Sequence, residues 1–270
     1  MTARRKTGRT LLALALAAAF ASGALAGPAR PGGGGAAPQK KKKVSEEKDP
    51  KYQCELGVIA LRYGLPDQAV LYGRQAVALD PSFFDGWQLL GSAYAQKGEL
   101  VQAAEAFEKA AAIKPGAGDV QRQLGLVYLG LNETAKAESA LKTAFDAGGD
   151  AESAYALGKL FYTQKRFDEA MDYAVKAIQK DGKSAKAYNL KGVLLNQKGR
   201  YAEAAGAFQA GLVLLPEDVG LQVNLGIALF NSGESTRARK VFEAVLPRIE
   251  AGELKKQVQD YIQAIKDAGK

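Results

Sequence analysis

Residues 84–115 read FDGWQLLGSAYAQKGELVQAAEAFEKAAAIKP. Trp87, Leu90, Gly91, Tyr94, Ala103, Phe107, Ala110 and Pro115 stand in this stretch at spacings that return every 34 residues or so along the chain. A fixed period of that length marks an array of small supersecondary units, each too small to bury its apolar face alone. The residue types have physical reasons. Gly91 and Ala103 let two helices of one unit approach closely. Gly98 falls between the helices, where a positive φ costs glycine little. Pro115 ends the second helix, because proline cannot donate the next backbone hydrogen bond.

Sliding the pattern gives six units: 50–83, 84–117, 118–150, 151–184, 185–218 and 219–252. Their eighth places hold Gly57, Gly91, Gly125, Gly158, Gly192 and Gly226. Some places depart from the pattern. The third unit ends in Gly148-Gly149. Gly73 and Ala174 stand where Phe107 and Phe208 stand in other units, with Tyr72 and Tyr173 beside them as the expected fillers. Pro247 comes early and predicts a short last helix. Beyond the array, Leu254, Val258, Tyr261, Ile262 and Ile265 fall on one helical stripe, as a cap over the last apolar face requires. The pattern resembles the tetratricopeptide repeat. That resemblance implies an all-α fold, a right-handed superhelical solenoid of helix–turn–helix repeats with a C-terminal capping helix at 253–270.

The composition excludes several chemistries. With no His and a single Cys, Cys54, the chain cannot build a Ser-His-Asp triad, a Cys-His dyad, most zinc sites or an internal disulfide. No cofactor or metal is expected, and no catalytic residue. Glu105 and Glu108 sit on an amphipathic helix and need no catalytic explanation. Cys54 reads as a small apolar helix residue, with a disulfide to another chain as the rival. The net charge of +8 is concentrated at the start: residues 1–26 carry +4, residues 27–49 carry +3, and residues 50–270 carry +1. The repeats are nearly neutral, so nucleic acid is not an expected partner.

Residues 1–26 read as a secretory signal peptide, with Arg4, Arg5, Lys6 and Arg9 before the apolar run Leu11–Ala21, and Ala24-Leu25-Ala26 before Gly27. Sec-dependent export to a periplasm follows, with secretion or attachment to the envelope as variants. Gly27 replaces the Cys that a lipoprotein anchor would need. No stable membrane insertion is expected after cleavage. Residues 27–49, rich in Gly, Pro and Lys, read as a disordered linker.

The family resemblance also implies a binding surface. In tetratricopeptide proteins, places two, five, nine and twelve of each first helix face a concave groove. Here these places give Gln88, Ser92, Arg122, Tyr155, Lys159, Tyr162, Asn189, Asn196, Val223, Ile227 and Phe230. Asn side chains suit a ligand backbone, Arg122 and Lys159 suit a carboxylate, and Phe230 with Ile227 suits an apolar group. Cys54 and Val58 replace the Lys and Asn that a clamp for chaperone tails uses. The expected role is a non-enzymatic scaffold that holds a protein or peptide and helps assemble an envelope complex, by likeness to pilus-assembly factors and with motility or secretion machinery also open. Two alternatives are a glycan- or peptidoglycan-associated factor that regulates cell-wall enzymes, and a membrane-surface protein acting through Lys40–Lys43. The partner and the oligomeric state are open.

Overall fold

The computed structural model describes residues 48–268. Residues 1–26, read above as a signal peptide, and 27–47 of the expected linker, with Lys40–Lys43, lie outside them; Lys48 and Asp49 lie inside, and Asp49 caps the first helix by accepting the Lys51 amide. The described residues form helices joined by short turns and no strand, so the all-α expectation holds. The helices are α1 (Pro50–Arg62), α2 (Pro66–Leu79), α3 (Phe84–Lys97), α4 (Leu100–Ile113), α5 (Gly118–Gly130), α6 (Thr134–Gly148), α7 (Ala151–Thr163), α8 (Phe167–Lys180), α9 (Ala185–Gln197), α10 (Tyr201–Leu214), α11 (Val219–Asn231), α12 (Ser235–Val245) and α13 (Glu253–Ala268). A turn of 3-10 helix, Leu246–Arg248, follows α12 and carries Pro247. The backbone falls into two compact units, one through Lys109 and one from Ala110.

In the N-terminal unit, α1 packs on α2, and α2 on α3. Pro66 opens α2 at a position whose amide has no helical partner to lose. Gly64 and Gly98 turn the chain with φ of 70° and 78°. Gly91 of α3 lies under the Phe107 ring of α4, and a Cβ there would sit 2.5 Å from Phe107 Cδ1. In the first hairpin, Gly73 occupies the phenylalanine place. Leu89 and Leu90 of α3 fill the gap, coming within 2.3 Å of a Cβ on Gly57 and 2.8 Å of one on Gly73. The filler is therefore the next helix and not Tyr72, which stays half-exposed. Trp87 donates its indole N–H to the Pro81 carbonyl at 2.9 Å, which ties the start of α3 to the turn before it.

In the C-terminal unit, α5 packs on α6, α7 on α8, α9 on α10 and α11 on α12, and each of the last three pairs also packs on the one before it. The glycine-under-aromatic contact recurs at Gly192 with Phe208 and at Gly226 with Phe242, each 2.5 Å from a would-be Cβ. Gly158 differs, because Ala174 is too small to reach it. Leu190 of α9 approaches instead, and the α8 backbone closes to 3.3 Å at the Ala170 carbonyl. Tyr173 does not fill that space; its ring rests on Phe145 and Phe161, 5.7 and 5.5 Å between centroids. Arg166 links two hairpins. It lies over the Phe161 ring at 4.1 Å and donates to Glu138 of α6 at 2.7 Å and to Glu169 of α8 at 2.6 Å. The staple seen at Trp87 recurs as Gln121 on the Pro115 carbonyl, 3.2 Å, and Gln222 on Pro216, 2.7 Å. The helix α13 closes the array: Val258, Ile262 and Ile265 are buried with Phe242, Val245 and Ile249. Leu254 is a correction to the expected stripe, since it stays exposed at the first turn of α13.

Candidate functional site

The N-terminal unit carries a recess of about 650 Å³ along α1 and α3. From α1 come Lys51, Cys54, Glu55, Val58, Ile59, Leu61 and Arg62; from α3 and its entry come Phe83, Asp85, Gln88, Leu89 and Ser92. Lys51, Glu55, Val58 and Arg62 recur three or four residues apart, so they share one side of α1. Asp85, Gln88 and Ser92 do the same on α3. The recess has an apolar middle of Val58, Ile59 and Leu89. At one end lie Lys51, Glu55 and Asp85, and Arg62 lies at the other. None of these four charged side chains is in an ion pair among the described residues, so their charges are available to a ligand. Cys54 is buried at the side, its thiol donating to the Asp85 carbonyl at 3.5 Å. Burial, and then the carboxylates of Asp85 and Glu55, push the thiol up to about 11. At neutral pH it is a protonated, apolar part of the wall.

The C-terminal unit shows a second polar face on its first helices. There α7 touches α9, and α9 touches α11. Among the described residues, the second helices α8, α10 and α12 show no comparable contact with one another. Several expected ligand groups are engaged with neighbouring side chains. Asn224 of α11 donates to Asn189 Oδ1 of α9 at 2.9 Å. Lys186 reaches Glu152 at 2.6 Å and sits over the Tyr155 ring at 5.0 Å. Arg122 lies 3.7 Å from Asp150, which itself caps α7 by accepting the Ser153 amide. Tyr162 rests on Phe167. Lys159 is exposed and outside every ion pair among the described residues. Asn196 Oδ1 is enclosed without a hydrogen-bond partner there. Phe230 packs edge-on against Tyr261 of α13, 5.2 Å between centroids, beside a smaller recess of about 270 Å³ lined by Gln257, Asp260 and Ala264.

The sequence thus places Gln88 and Ser92 in the N-terminal recess. Tyr155, Lys159, Tyr162, Asn189 and Asn196 lie together on α7 and α9 of the C-terminal unit. One reading is corrected. Val223 is buried at 3 % exposure and offers no free apolar surface, while Ile227, like Phe230, is half-buried against the same core. The charged rim of Lys51, Glu55, Arg62 and Asp85 was missed. Its signal is the spacing of Lys51, Glu55 and Arg62 along one side of α1, obscured because the uncharged Cys54 and Val58 hold the places that face the groove in the family. Among the described residues no group of three or more His, Cys, Asp or Glu side chains could hold a metal, and no helix is long and apolar enough to cross a membrane.

Helical hairpins of this period, with glycine under an aromatic ring at the same place, define a family. The tetratricopeptide repeat model matches residues 54–118, 122–185, 174–219 and 197–253. The chain belongs to the tetratricopeptide repeat family. It is similar to the peroxisomal targeting signal receptor of Candida albicans, 23% identical over 232 residues that cover 70% of this chain and 39% of the receptor. The chain spans well under half the length of the curated relatives it matches. Among solved structures it is similar to pilF of Pseudomonas aeruginosa, with a TM-score of 0.70 and 16% identity over 80% of this chain and 99% of that one. PilW, described as a type IV pilus biogenesis factor, gives a TM-score of 0.67 and 17% identity, covering 78% and 98%. At such identities these likenesses concern the fold.

Proposed function

We propose that this tetratricopeptide repeat protein is a non-enzymatic scaffold that binds a partner protein or peptide on the faces of its first helices. We place it in a bacterial cell envelope, exported by residues 1–26, with 27–49 as a linker and six repeats over 50–252 before the cap. The carrying observation is the recess on α1 and α3. It joins an apolar middle to four charged side chains that are outside any ion pair among the described residues. Charges left in this way, around apolar surface that is still partly wet, suit an extended or helical polypeptide with apolar side chains and ionic ends. The face of α7 and α9 supports the same reading, with Lys159 and the enclosed Asn196 oxygen as groups a peptide can satisfy. The likeness to pilus proteins supports an envelope assembly role.

Crosslinking of the native envelope, with the tagged protein as bait, tests this. A partner held by the wild type is expected to be lost in Val58→Glu with Arg62→Glu, and weakened in Lys159→Glu, while far-ultraviolet circular dichroism stays unchanged. A bound set that neither variant alters refutes the proposed sites.

A further inference from the structure

We infer that α13 is a further groove helix, and that with Phe230 it forms a subsite for one cationic side chain, arginine or lysine, of the polypeptide bound on the C-terminal unit. This rests on the scaffold reading above and names one chemical group of the ligand. The first helices open at Pro50, Phe84, Gly118, Ala151, Ala185 and Val219, and α13 opens at Glu253, 34 residues after Val219. Counted in that register, its places two, five, nine and twelve are Leu254, Gln257, Tyr261 and Ala264. Gln257, Tyr261 and Ala264 line the recess of about 270 Å³ beside Phe230, which is itself at place twelve of α11. The recess on α1 and α3 is lined from the same places, by Cys54, Val58, Leu61, Gln88 and Ser92. The buried stripe of Val258, Ile262 and Ile265 is another side of α13. The helix therefore closes the core with one side and extends the ligand face with another. Leu254 is exposed for the same reason, as place two is in each of the six units.

Place eight is a buried glycine in each of the six units. In α13 it is Asp260, exposed at the rim of the recess. No ion pair or hydrogen bond engages Asp260 among the described residues. The lysines of α13 leave it so: Lys255 donates to the Ile249 carbonyl, and Lys256 and Lys266 are exposed and meet no carboxylate among the described residues. The wall beside it is aromatic. Tyr261 stacks on Phe242 at 5.3 Å and meets Phe230 edge-on at 5.2 Å, so its ring is held in place before a ligand arrives.

Aromatic rings and a carboxylate together attract a cation. An anion would be repelled by Asp260, and an apolar group would strip water from that carboxylate without replacing its hydrogen bonds. A guanidinium can lie on a ring and donate to Asp260 while its methylene stem covers Ala264. Lysine can do the same with a point charge. The recess has the volume of about nine liquid waters, room for one long side chain and not for a helix. Charge complementarity therefore gives the end of this face its own selectivity, distinct from the acid that Lys159 of α7 suits.

Selection of random peptides of about 16 residues, roughly 50 Å when extended, from a phage library on the immobilised full chain tests this. The wild type is expected to enrich sequences with Arg or Lys at one fixed position. Asp260→Asn is expected to lower that enrichment about threefold or more, and Asp260→Arg to turn the preference to Asp or Glu. Asp260 is exposed, so both variants should keep the helicity of the wild type by circular dichroism. Lys159→Glu should leave the basic preference in place. A pool without a basic preference overturns the inference, as does one that Asp260→Arg leaves unchanged or that Lys159→Glu alters as strongly. In each of these cases peptides still bind, and the scaffold reading stands. A basic preference that emerges only when Lys40–Lys43 are replaced by Ser makes this chain's own lysines the occupant and overturns the inference too. Enrichment of no peptide at all refutes both readings.

Discussion

A methyl group added to Gly91, Gly192 or Gly226 would sit 2.5 Å from a ring carbon of Phe107, Phe208 or Phe242. The rings are fully buried, so neither they nor the paired helix can yield cheaply. Gly192→Ala is therefore expected to lower the unfolding free energy by about 2–3 kcal/mol, measured by denaturant titration. Gly206 gives the opposite case. It is exposed in the middle of α10 with nothing within 4 Å of a would-be Cβ. Gly206→Ala is expected to stabilise by about 0.5–1 kcal/mol in the same assay, because alanine removes backbone entropy from the unfolded chain. An equal sign for the two variants would show that the packing argument is wrong. At Lys165 the backbone holds φ of 60°, a turn that Gly98 and Gly199 make elsewhere. A side chain there costs about 1–2 kcal/mol, and Lys165→Gly recovers part of it. Cys54 yields a chemical prediction. The thiolate is the reactive form, and the buried thiol titrates near 11. Alkylation at pH 8 is expected to run on the order of a hundredfold slower than for a free cysteine, and to climb as the pH approaches 11. Fast labelling at pH 8 would place the thiol at the surface.

Helix positions were legible because two independent signals agree at four of the six hairpins. Glycines at the eighth place need close approach, and glycine or proline punctuates the turns. The reading of Gly64, Gly98, Gly199 and Gly233 as left-handed turns matches their φ of 70° to 85°. The turns at Asn132 and Lys165 carry no such glycine, yet adopt φ of 60°. The helices on either side fix the turn there, and local preference gives way. The fillers for Gly73 and Ala174 were misread for a related reason. Adjacent positions in a helix point about 100° apart, so Tyr72 and Tyr173 face elsewhere, and the space is taken by Leu89, Leu90 and Leu190 from the following hairpin. One-helix reasoning does not see a contact between hairpins. The helix α13 was legible from its stripe, and it carries an element-scale prediction. Val258 is fully buried beneath it. Val258→Asp places an unpaired charge in that core and is expected to cost about 3 kcal/mol or more. Leu254→Asp, at the exposed first turn, should cost less than about 0.5 kcal/mol. Comparable losses for the two would mean that α13 is not seated as a lid on α12.

Across the chain, charge separates what the sequence told about function from what it withheld. The even balance of residues 50–270 was visible from composition, but the pairing of those charges was not. Arg122 was read as free for a ligand and lies beside Asp150. The rim of Lys51, Glu55, Arg62 and Asp85 was unread and is outside ion pairs among the described residues. Pairing depends on which side chains meet across hairpins, and spacing along one helix does not encode that. The same pairs set the acid limit of the fold. Bonds from Arg166 and then Lys142 hold Glu138 below the ordinary carboxylate range; Arg166 does the same for Glu169, Arg200 for Glu203, and the Ser82 hydroxyl and amide for Asp80. A carboxylate with a lowered folded value takes up a proton more readily once unfolded. Its stabilisation is complete above the unfolded values of 4.5 for Glu and 3.8 for Asp, and is lost as the pH falls through the lower folded values. On the basic side, Lys97, Lys142, Arg166 and Arg200 are raised, so their contribution persists through neutral pH and fades only in strong alkali. The melting temperature is therefore expected to be nearly flat from pH 8 to 6 and to drop by several degrees by pH 3. Because Glu138 is the most enclosed of the four carboxylates, Glu138→Gln should lower the melting temperature at pH 7 and shrink the fall towards pH 3. A melting temperature that rises on acidification, or an acid fall that Glu138→Gln leaves at full size, would separate stability from these pairs.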